Sequence, residues 1–141
     1  MPIPMSAYKL MSLAGIAARA VNDRRFIESR GMCAAFQRQV VQAKYGTLFD
    51  KYFYKGTAHG QMQAFRNSPF VVTAEIKSGD LLFWAATHNQ PEGHAAIAGS
   101  NHGIIENSSI HYGSDRNGKG FRSLSDMRKP DLIVRLNPRA R

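Results

Sequence analysis

The stretch that is most informative about the fold reads GHAAIAGSNHGIIEN and spans residues 93–107. Two runs of small and aliphatic residues, Ala95–Ala98 and Gly103–Glu106, flank the turn residues Ser100–His102. Short apolar runs separated by such a turn are typical of a β-hairpin. Because His94 opens the first run and polar residues close the second, the stretch predicts two antiparallel strands with polar side chains at their outer ends.

Further strands are expected in the second half of the chain. Phe70–Val72 follows Pro69, Leu81–Trp84 follows a Ser-Gly-Asp turn, and Asp131–Leu136 is the last apolar run. Ser108–Ser125 is rich in Gly, Ser and Asn, which predicts a long loop.

The first part of the chain has helical patterning instead. Apolar residues recur at helical spacing in Ser6–Val21, Met32–Lys44 and Thr57–Asn67. Thr57 is a suitable N-cap for the third helix, and the aromatic stretch Leu48–Tyr54 predicts a short helix or an irregular hydrophobic flap. Helices followed by strands predict an α+β fold, in which the helices pack on one face of an antiparallel sheet. The length of 141 residues suits a single domain, residues 1–141, with one core.

An apolar segment near the start of the chain, Leu10–Ala18, has two interpretations. Lys9 before it and small residues after it make a weak secretory pattern. We favour a helix, because the basic region is short and Ser12 and Gly15 dilute the apolar run. No run of about 18 apolar residues occurs, so no membrane-spanning segment is expected.

The charge balance is strongly basic, with 19 Lys and Arg against 10 Asp and Glu and a net charge of +9. Such a balance favours an anionic partner, either nucleic acid, a membrane surface or a cell wall, although a solvated basic surface explains it equally well. The basic residues are scattered and no nucleic-acid-binding motif is visible, which argues against a nucleic-acid partner.

The single cysteine, Cys33, cannot form an intramolecular disulfide. Gly31 and Met32 precede it and the second predicted helix follows, so Cys33 lies at or near a helix N-terminus. Unpaired N–H groups and the helix dipole stabilise a thiolate there, and the same groups can stabilise an oxyanion. The alternative is a buried, inert thiol that packs as a small apolar group.

A thiol nucleophile needs a base, and histidine is the usual one. His94 is the best candidate because it opens a predicted strand that could project from the sheet toward Cys33. The other histidines are more simply explained as solvated side chains. His59 is predicted in a helix, His88 and His111 in loops, and His102 at the hairpin tip. Their spacing contains no metal-binding pair such as HxxxH, so neither a metal nor a cofactor is expected.

A third residue usually orients the base, and Glu106 and Asn107 are both available on the return strand. Neighbouring strand residues face opposite sides of a sheet, so only one of them can face His94. A carboxylate would stabilise the imidazolium more strongly, whereas an amide would only orient it. Both residues could instead begin the following loop and bond its backbone.

Four segments together resemble the NlpC family of cell-wall cysteine peptidases and the related CHAP amidases. Cys33–Val40 resembles the nucleophile helix, Ile76–Trp84 resembles the strand with the pattern PGDLxFW, Gly93–Ile97 resembles the strand that carries the catalytic histidine, and Ile104–Ser109 resembles the strand with the third polar residue. They come in the family's order. The sequence departs from the family at Met32, where Asp is common, and at Ala34-Ala35, where Ser-Gly is common.

The resemblance implies a papain-like NlpC/CHAP core and hydrolysis of peptidoglycan stem peptides without a cofactor. Carried over by position, Cys33 is the nucleophile, His94 the base and Glu106 the third residue. Asn107 remains an alternative, since a register slip of one residue would exchange the two.

The same resemblance implies bacterial peptidoglycan as the partner, with anionic wall polymers or a phage particle as further candidates, and action at the cell wall after secretion or delivery. Other functions stay open at this point. The scaffold could serve an acyltransferase, a transpeptidase or a non-wall amidase. The chain could also be a basic nucleic-acid-binding module with an inert Cys33, or an inactive component of a phage particle.

Overall fold

The computed structural model describes residues 3–29, 31–108 and 118–140. It contains a six-stranded antiparallel sheet, and the side chains of each strand alternate between the two faces of this sheet. The helices are α1 Leu13–Ala20, α2 Cys33–Tyr45 and α3 Ala58–Phe65. The strands are β1 Val71–Val72, β2 Leu81–Trp84, β3 His94–Ala98, β4 Gly103–Asn107, β5 Lys119–Ser123 and β6 Leu132–Val134. Their order across the sheet is β1-β6-β2-β3-β4-β5, and every neighbouring pair is antiparallel.

The helices cover one face of this sheet. The main core joins apolar side chains of α1, α2 and α3 to strand residues such as Phe83, Ile97 and Ile105. Strand residues of the opposite parity, including Leu82 and Ile104, form a smaller cluster on the other face. The α+β class, with helices on one face of an antiparallel sheet, is therefore confirmed.

The predicted hairpin is present as β3 and β4. The strands pair at Ile97↔Ile105 and Ala98↔Ile104, next to the turn. Asn101 and His102 in the turn have φ angles of 54° and 59°. Positive φ at successive turn positions matches the right-handed twist of the flanking strands, which is why a short turn of this kind closes a hairpin.

Helix α2 is the longest helix in the described part of the chain and lies directly on the central strands. Phe36, Val40 and Val41 are buried along one side of it. Gln37 is also fully buried, and its side-chain Nε2 donates to Ala96 O of β3 at 2.8 Å. The helix ends at Gly46, whose φ of 60° suits glycine. These contacts fix the start of α2 relative to β3.

The helix predicted over Ser6–Val21 is wrong as a single element. A 3-10 helix covers Met5–Leu10, Met11 is extended, and α1 begins at Leu13. The hydroxyl of Ser12 accepts a hydrogen bond from Gly15 N at 3.1 Å. This cap starts a new helix, because it satisfies a first-turn N–H that a continuous helix would have bonded to its own backbone.

The loop predicted over Ser108–Ser125 is also wrong in part, because it contains β5 and a 3-10 helix at Leu124–Asp126. Residues 109–117 lie outside the described residues. The sequence did not predict this strand because its buried position is occupied by a lysine, Lys119, and not by an apolar residue. Lys119 Nζ donates to the carbonyl oxygens of Ala20, Asp23 and Phe26 at 2.7, 2.8 and 3.2 Å.

Two further secondary-structure predictions, for the third helix and for the aromatic stretch, agree closely with the structure. Thr57 caps α3 by accepting from Gly60 N at 3.1 Å, although the helix ends earlier than predicted, at Phe65. The aromatic stretch contains a 3-10 helix at Asp50–Tyr52, with Phe49 and Phe53 in the core. No helix in the described part of the chain is long and apolar enough to cross a membrane.

Lys119→Met should lower the free energy of unfolding by about 3 kcal/mol, because it leaves buried carbonyl groups without a donor. Urea denaturation measures this change. The matched control is Lys129→Met at an exposed position, which should change stability by less than about 0.5 kcal/mol. Equal stability of the two variants would show that the buried ammonium group does not hold β5 to the segment after α1.

Candidate active site

Cys33 is the first residue of α2, as the sequence predicted. Gly31 has a φ of 79°, and Met32 occupies the N-cap position without a side-chain hydrogen bond to the helix. The N–H groups of the first turn are therefore not capped by the side chain of Met32. The half-buried thiol therefore lies at the positive end of the helix dipole, beside N–H groups that can stabilise an oxyanion.

His94 is the first residue of β3 and lies opposite Trp84 of β2. The chain enters the strand through Gly93, which has a φ of 76°. A Cβ atom at Gly93 would lie 2.6 Å from Trp84 O, closer than such atoms approach. Only glycine therefore lets the chain pass close enough to β2 to set His94 at this position.

The imidazole of His94 joins Cys33 to Glu106. Its Nε2 lies 2.5 Å from Glu106 Oε1, and the Cys33 thiol, which lines the same cavity, interacts with the ring closely enough to raise its pKa. Since Nε2 faces the carboxylate, Nδ1 is the nitrogen left for the thiol. His94 is 3% exposed and Glu106 is fully buried, so both groups interact where water screens them little.

Of the two candidates for the third position, Glu106 contacts His94 and Asn107 does not. Asn107 lies on the opposite face of β4, where its Nδ2 donates to Ile27 O at 3.0 Å. The pairing of Ile97 with Ile105 sets this arrangement, because residues of even number on β3 and β4 then share one face of the sheet.

Arg122, on β5, completes a chain of charged groups that the sequence did not predict. Its Nη2 donates to Glu106 Oε1 at 3.0 Å, and its Nε lies 2.9 Å from Glu106 Oε2. Arg122 falls in the segment for which the sequence predicted a loop. In the structure this segment is a strand, and Lys119 and Arg122 lie on opposite faces of it. A strand prediction for residues 119–123 could have placed Arg122 on the face that carries Glu106.

The environment of His94 favours the imidazolium form. Burial disfavours the charge, but the interactions of the ring with Cys33 and Glu106 outweigh it and raise the pKa of His94 to about 9. A thiolate–imidazolium pair requires an imidazole that keeps its proton at neutral pH, and His94 meets this requirement.

A cavity of about 250 Å³ opens beside these groups. Cys33 and His94 line it together with Asn107, Ser108 and Glu92. Asn107 Oδ1 is buried and, within the described part of the chain, has no hydrogen-bond partner. The thiol, the imidazole and several polar groups therefore line one concavity.

Among the other histidines, His59 packs against Gly93 beside His94, and its backbone N–H donates to Glu92 O at 2.9 Å. His59 is near the start of α3, not in its middle as predicted, and its Nδ1 accepts from Ala86 N at 2.9 Å. His102 is at the hairpin tip and His88 is in a loop, as predicted. His111 lies outside the described residues.

Comparison with solved structures finds a match to the crystal structure of the NlpC/p60 domain of peptidoglycan hydrolase SagA. The two chains are 22% identical with a TM-score of 0.54, and the match covers 89% of this chain and 100% of the other. No family model matches the sequence, and no curated protein matches it significantly. The likeness supports the fold: this chain has the papain-like α+β architecture of an NlpC/p60 domain.

Gly93→Ala should destabilise the protein by about 3 kcal/mol, since it adds a backbone clash to the cost of a positive φ. Gly46→Ala is the matched control, because Gly46 also has positive φ but a Cβ atom there would have no neighbour within 4 Å. The control should lose only about 1 kcal/mol in thermal or urea denaturation. Equal losses would mean that the close approach to Trp84 O is not a constraint.

Titration of the His94 ring protons by NMR should give a midpoint near pH 9, and Cys33→Ala should lower it. Because the folded-state pKa lies above the ordinary value of 6.5, the stabilisation from protonated His94 is fully present below pH 6.5 and is lost as the pH rises through about 9. A midpoint near 6.5 in both proteins would contradict the hydrogen-bonded arrangement.

Proposed function

We propose that this chain is a cysteine hydrolase that cleaves peptide or amide bonds of bacterial peptidoglycan, with Cys33 as nucleophile, His94 as base and Glu106 as the orienting residue. The observation that carries the proposal is the buried His94–Glu106 hydrogen bond beside the Cys33 thiol, which lines the same cavity at the N-terminus of α2. A buried structural cysteine needs neither a histidine partner nor a carboxylate behind that histidine.

In the proposed reaction the Cys33 thiolate attacks the scissile carbonyl carbon. N–H groups of the first turn of α2 stabilise the oxyanion that forms. The imidazolium of His94 gives its proton to the leaving amine as the C–N bond breaks, which leaves a thioester on Cys33. Neutral His94 then takes a proton from water as the hydroxide adds to the thioester carbonyl. Breakage of the C–S bond releases the carboxylic acid and returns the Cys33 thiolate beside the His94 imidazolium.

Glu106 has two roles in this scheme. Its hydrogen bond to Nε2 keeps Nδ1 directed at the sulfur, and its charge stabilises the imidazolium that the first step needs. Asn107 is less suited to either role, because its amide group bonds Ile27 O on the other face of the strand.

The substrate class is proposed from the fold and from charge. The structural neighbour is a peptidoglycan hydrolase by its title, and the net charge of +9 would attract this chain to anionic wall polymers. Action at the cell wall, by a secreted protein or one carried by a phage particle, is part of the same proposal.

Peptidoglycan from several bacteria, incubated with the protein and analysed by mass spectrometry, tests the proposal. New stem-peptide fragments are expected from the unmodified protein and not from Cys33→Ala. Glu106→Gln should reduce the rate by about 100-fold and Asn107→Ala by less than about 10-fold, since only the first change removes the charge beside His94.

His94→Gln should abolish hydrolysis, whereas its matched control His102→Asn, at the hairpin tip, should leave the rate unchanged. An added amine acceptor separates hydrolysis from acyl transfer, because transfer would yield the amide of that amine. Release of the same fragments by Cys33→Ala, or of none by any protein on any wall preparation, would overturn the proposal.

A further inference from the structure

The carboxylate behind His94 is itself held by a second cation. Glu106 Oε1 accepts from both His94 Nε2 and Arg122 Nη2, at 2.5 and 3.0 Å, while Oε2 faces Arg122 Nε at 2.9 Å. The side chain of Arg122 is 19% exposed and that of Glu106 is fully buried. The guanidinium therefore holds the carboxylate through one hydrogen bond, to Oε1, and one ion-pair contact, to Oε2, in which Nε makes no hydrogen bond to any described residue.

A fully buried carboxylate is ionised only when opposite charges and hydrogen bonds offset the loss of hydration. His94 can supply such a charge only while it is protonated, and it exchanges its proton in every catalytic cycle. Arg122 is charged at all relevant pH values. It therefore stabilises ionised Glu106 also in the steps in which His94 is neutral.

We propose that Arg122 is a positioning residue that keeps Glu106 ionised and oriented, and so extends to lower pH the range in which Cys33 is a thiolate. The inference rests on the proposed function and adds Arg122 to the three residues proposed there, Cys33, His94 and Glu106. It concerns the state of the resting enzyme, so it can be tested without a substrate.

The charged groups around Glu106 in the described residues come from four elements. Cys33 lies on α2, His94 on β3, Glu106 on β4 and Arg122 on β5, and Glu92 lines the cavity nearby. Thiolate, imidazolium, carboxylate and guanidinium alternate in sign along this series. Loss of the guanidinium favours the protonated, neutral form of Glu106, which cannot stabilise the imidazolium. The thiolate then forms only at higher pH.

The test is the pH dependence of Cys33 alkylation by iodoacetamide, followed by mass spectrometry. The chain has one cysteine, so the signal is specific. In Arg122→Met the pH at which alkylation becomes half-maximal should rise by about one unit. Arg122→Lys, which keeps the charge but not the two-oxygen contact, should shift it less. The NMR midpoint of His94 should fall in Arg122→Met.

A double-variant cycle separates this role from a general effect on folding. If Arg122 acts through Glu106, the profile of Glu106→Gln with Arg122→Met should coincide with that of Glu106→Gln alone. Arg135→Met is the matched control, since Arg135 also binds a buried carboxylate, that of Asp80, at the opposite end of β2. It should leave the alkylation profile unchanged.

The outcomes distinguish this inference from the proposed function. A folded Arg122→Met variant whose profile superimposes on that of the unmodified protein overturns the inference alone. An unmodified protein whose thiol reacts only at the pH of an ordinary cysteine overturns the proposed function as well. If Arg122→Met does not fold, Arg122→Gln and Arg122→Lys are compared in the same titration, and coincident profiles reject the inference.

Discussion

The carboxylate of Glu106 is the constraint on which the candidate site depends. It has no exposed surface, so its ionised form requires partners from the protein. Those partners come from the strands on either side of β4, because His94 lies on β3 and Arg122 on β5. The Glu106 carboxylate on β4 thus contacts side chains of both neighbouring strands, β3 and β5. The orientation of the His94 imidazole therefore depends on how these three strands pair.

The position of Cys33 depends on a separate set of contacts. Helix α2 is fixed on the sheet by its apolar side and by the hydrogen bond from Gln37 to Ala96 O. Gly93 allows the chain to approach Trp84 O closely at the start of β3. Cys33 is the first residue of α2 and His94 is the first residue of β3, and both line the cavity. Rigid elements rather than loop side chains therefore set the distance between the Cys33 thiol and the His94 imidazole.

The charges of the site support one another in a place with little solvent. Burial alone would hold the pKa of His94 down, and the raised value of about 9 results from its two anionic neighbours. In the proposed reaction the same arrangement serves two steps, because attack requires the thiolate while departure of the amine requires a proton. The papain-like fold shared with the SagA domain accommodates this arrangement at the junction of helix and sheet.

Local signals in the sequence determined much of this protein. Residue spacing and turn chemistry placed α2, the β3–β4 hairpin and β2 correctly, and they put Cys33 at a helix start. They failed at the helix predicted over Ser6–Val21, because the hydroxyl of Ser12 begins a second helix there. The tertiary structure decided the rest. Whether Glu106 or Asn107 faces His94 depends on the register between strands, which no single segment encodes.

The sequence did not predict strand β5 or the position of Arg122, because both also depend on tertiary contacts. A polar segment becomes a strand there because β4 offers it hydrogen bonds and because distant carbonyls receive the ammonium group of Lys119. Sequence patterns report the preferences of neighbouring residues, whereas a buried ion pair gains its energy from groups that only the folded chain brings together.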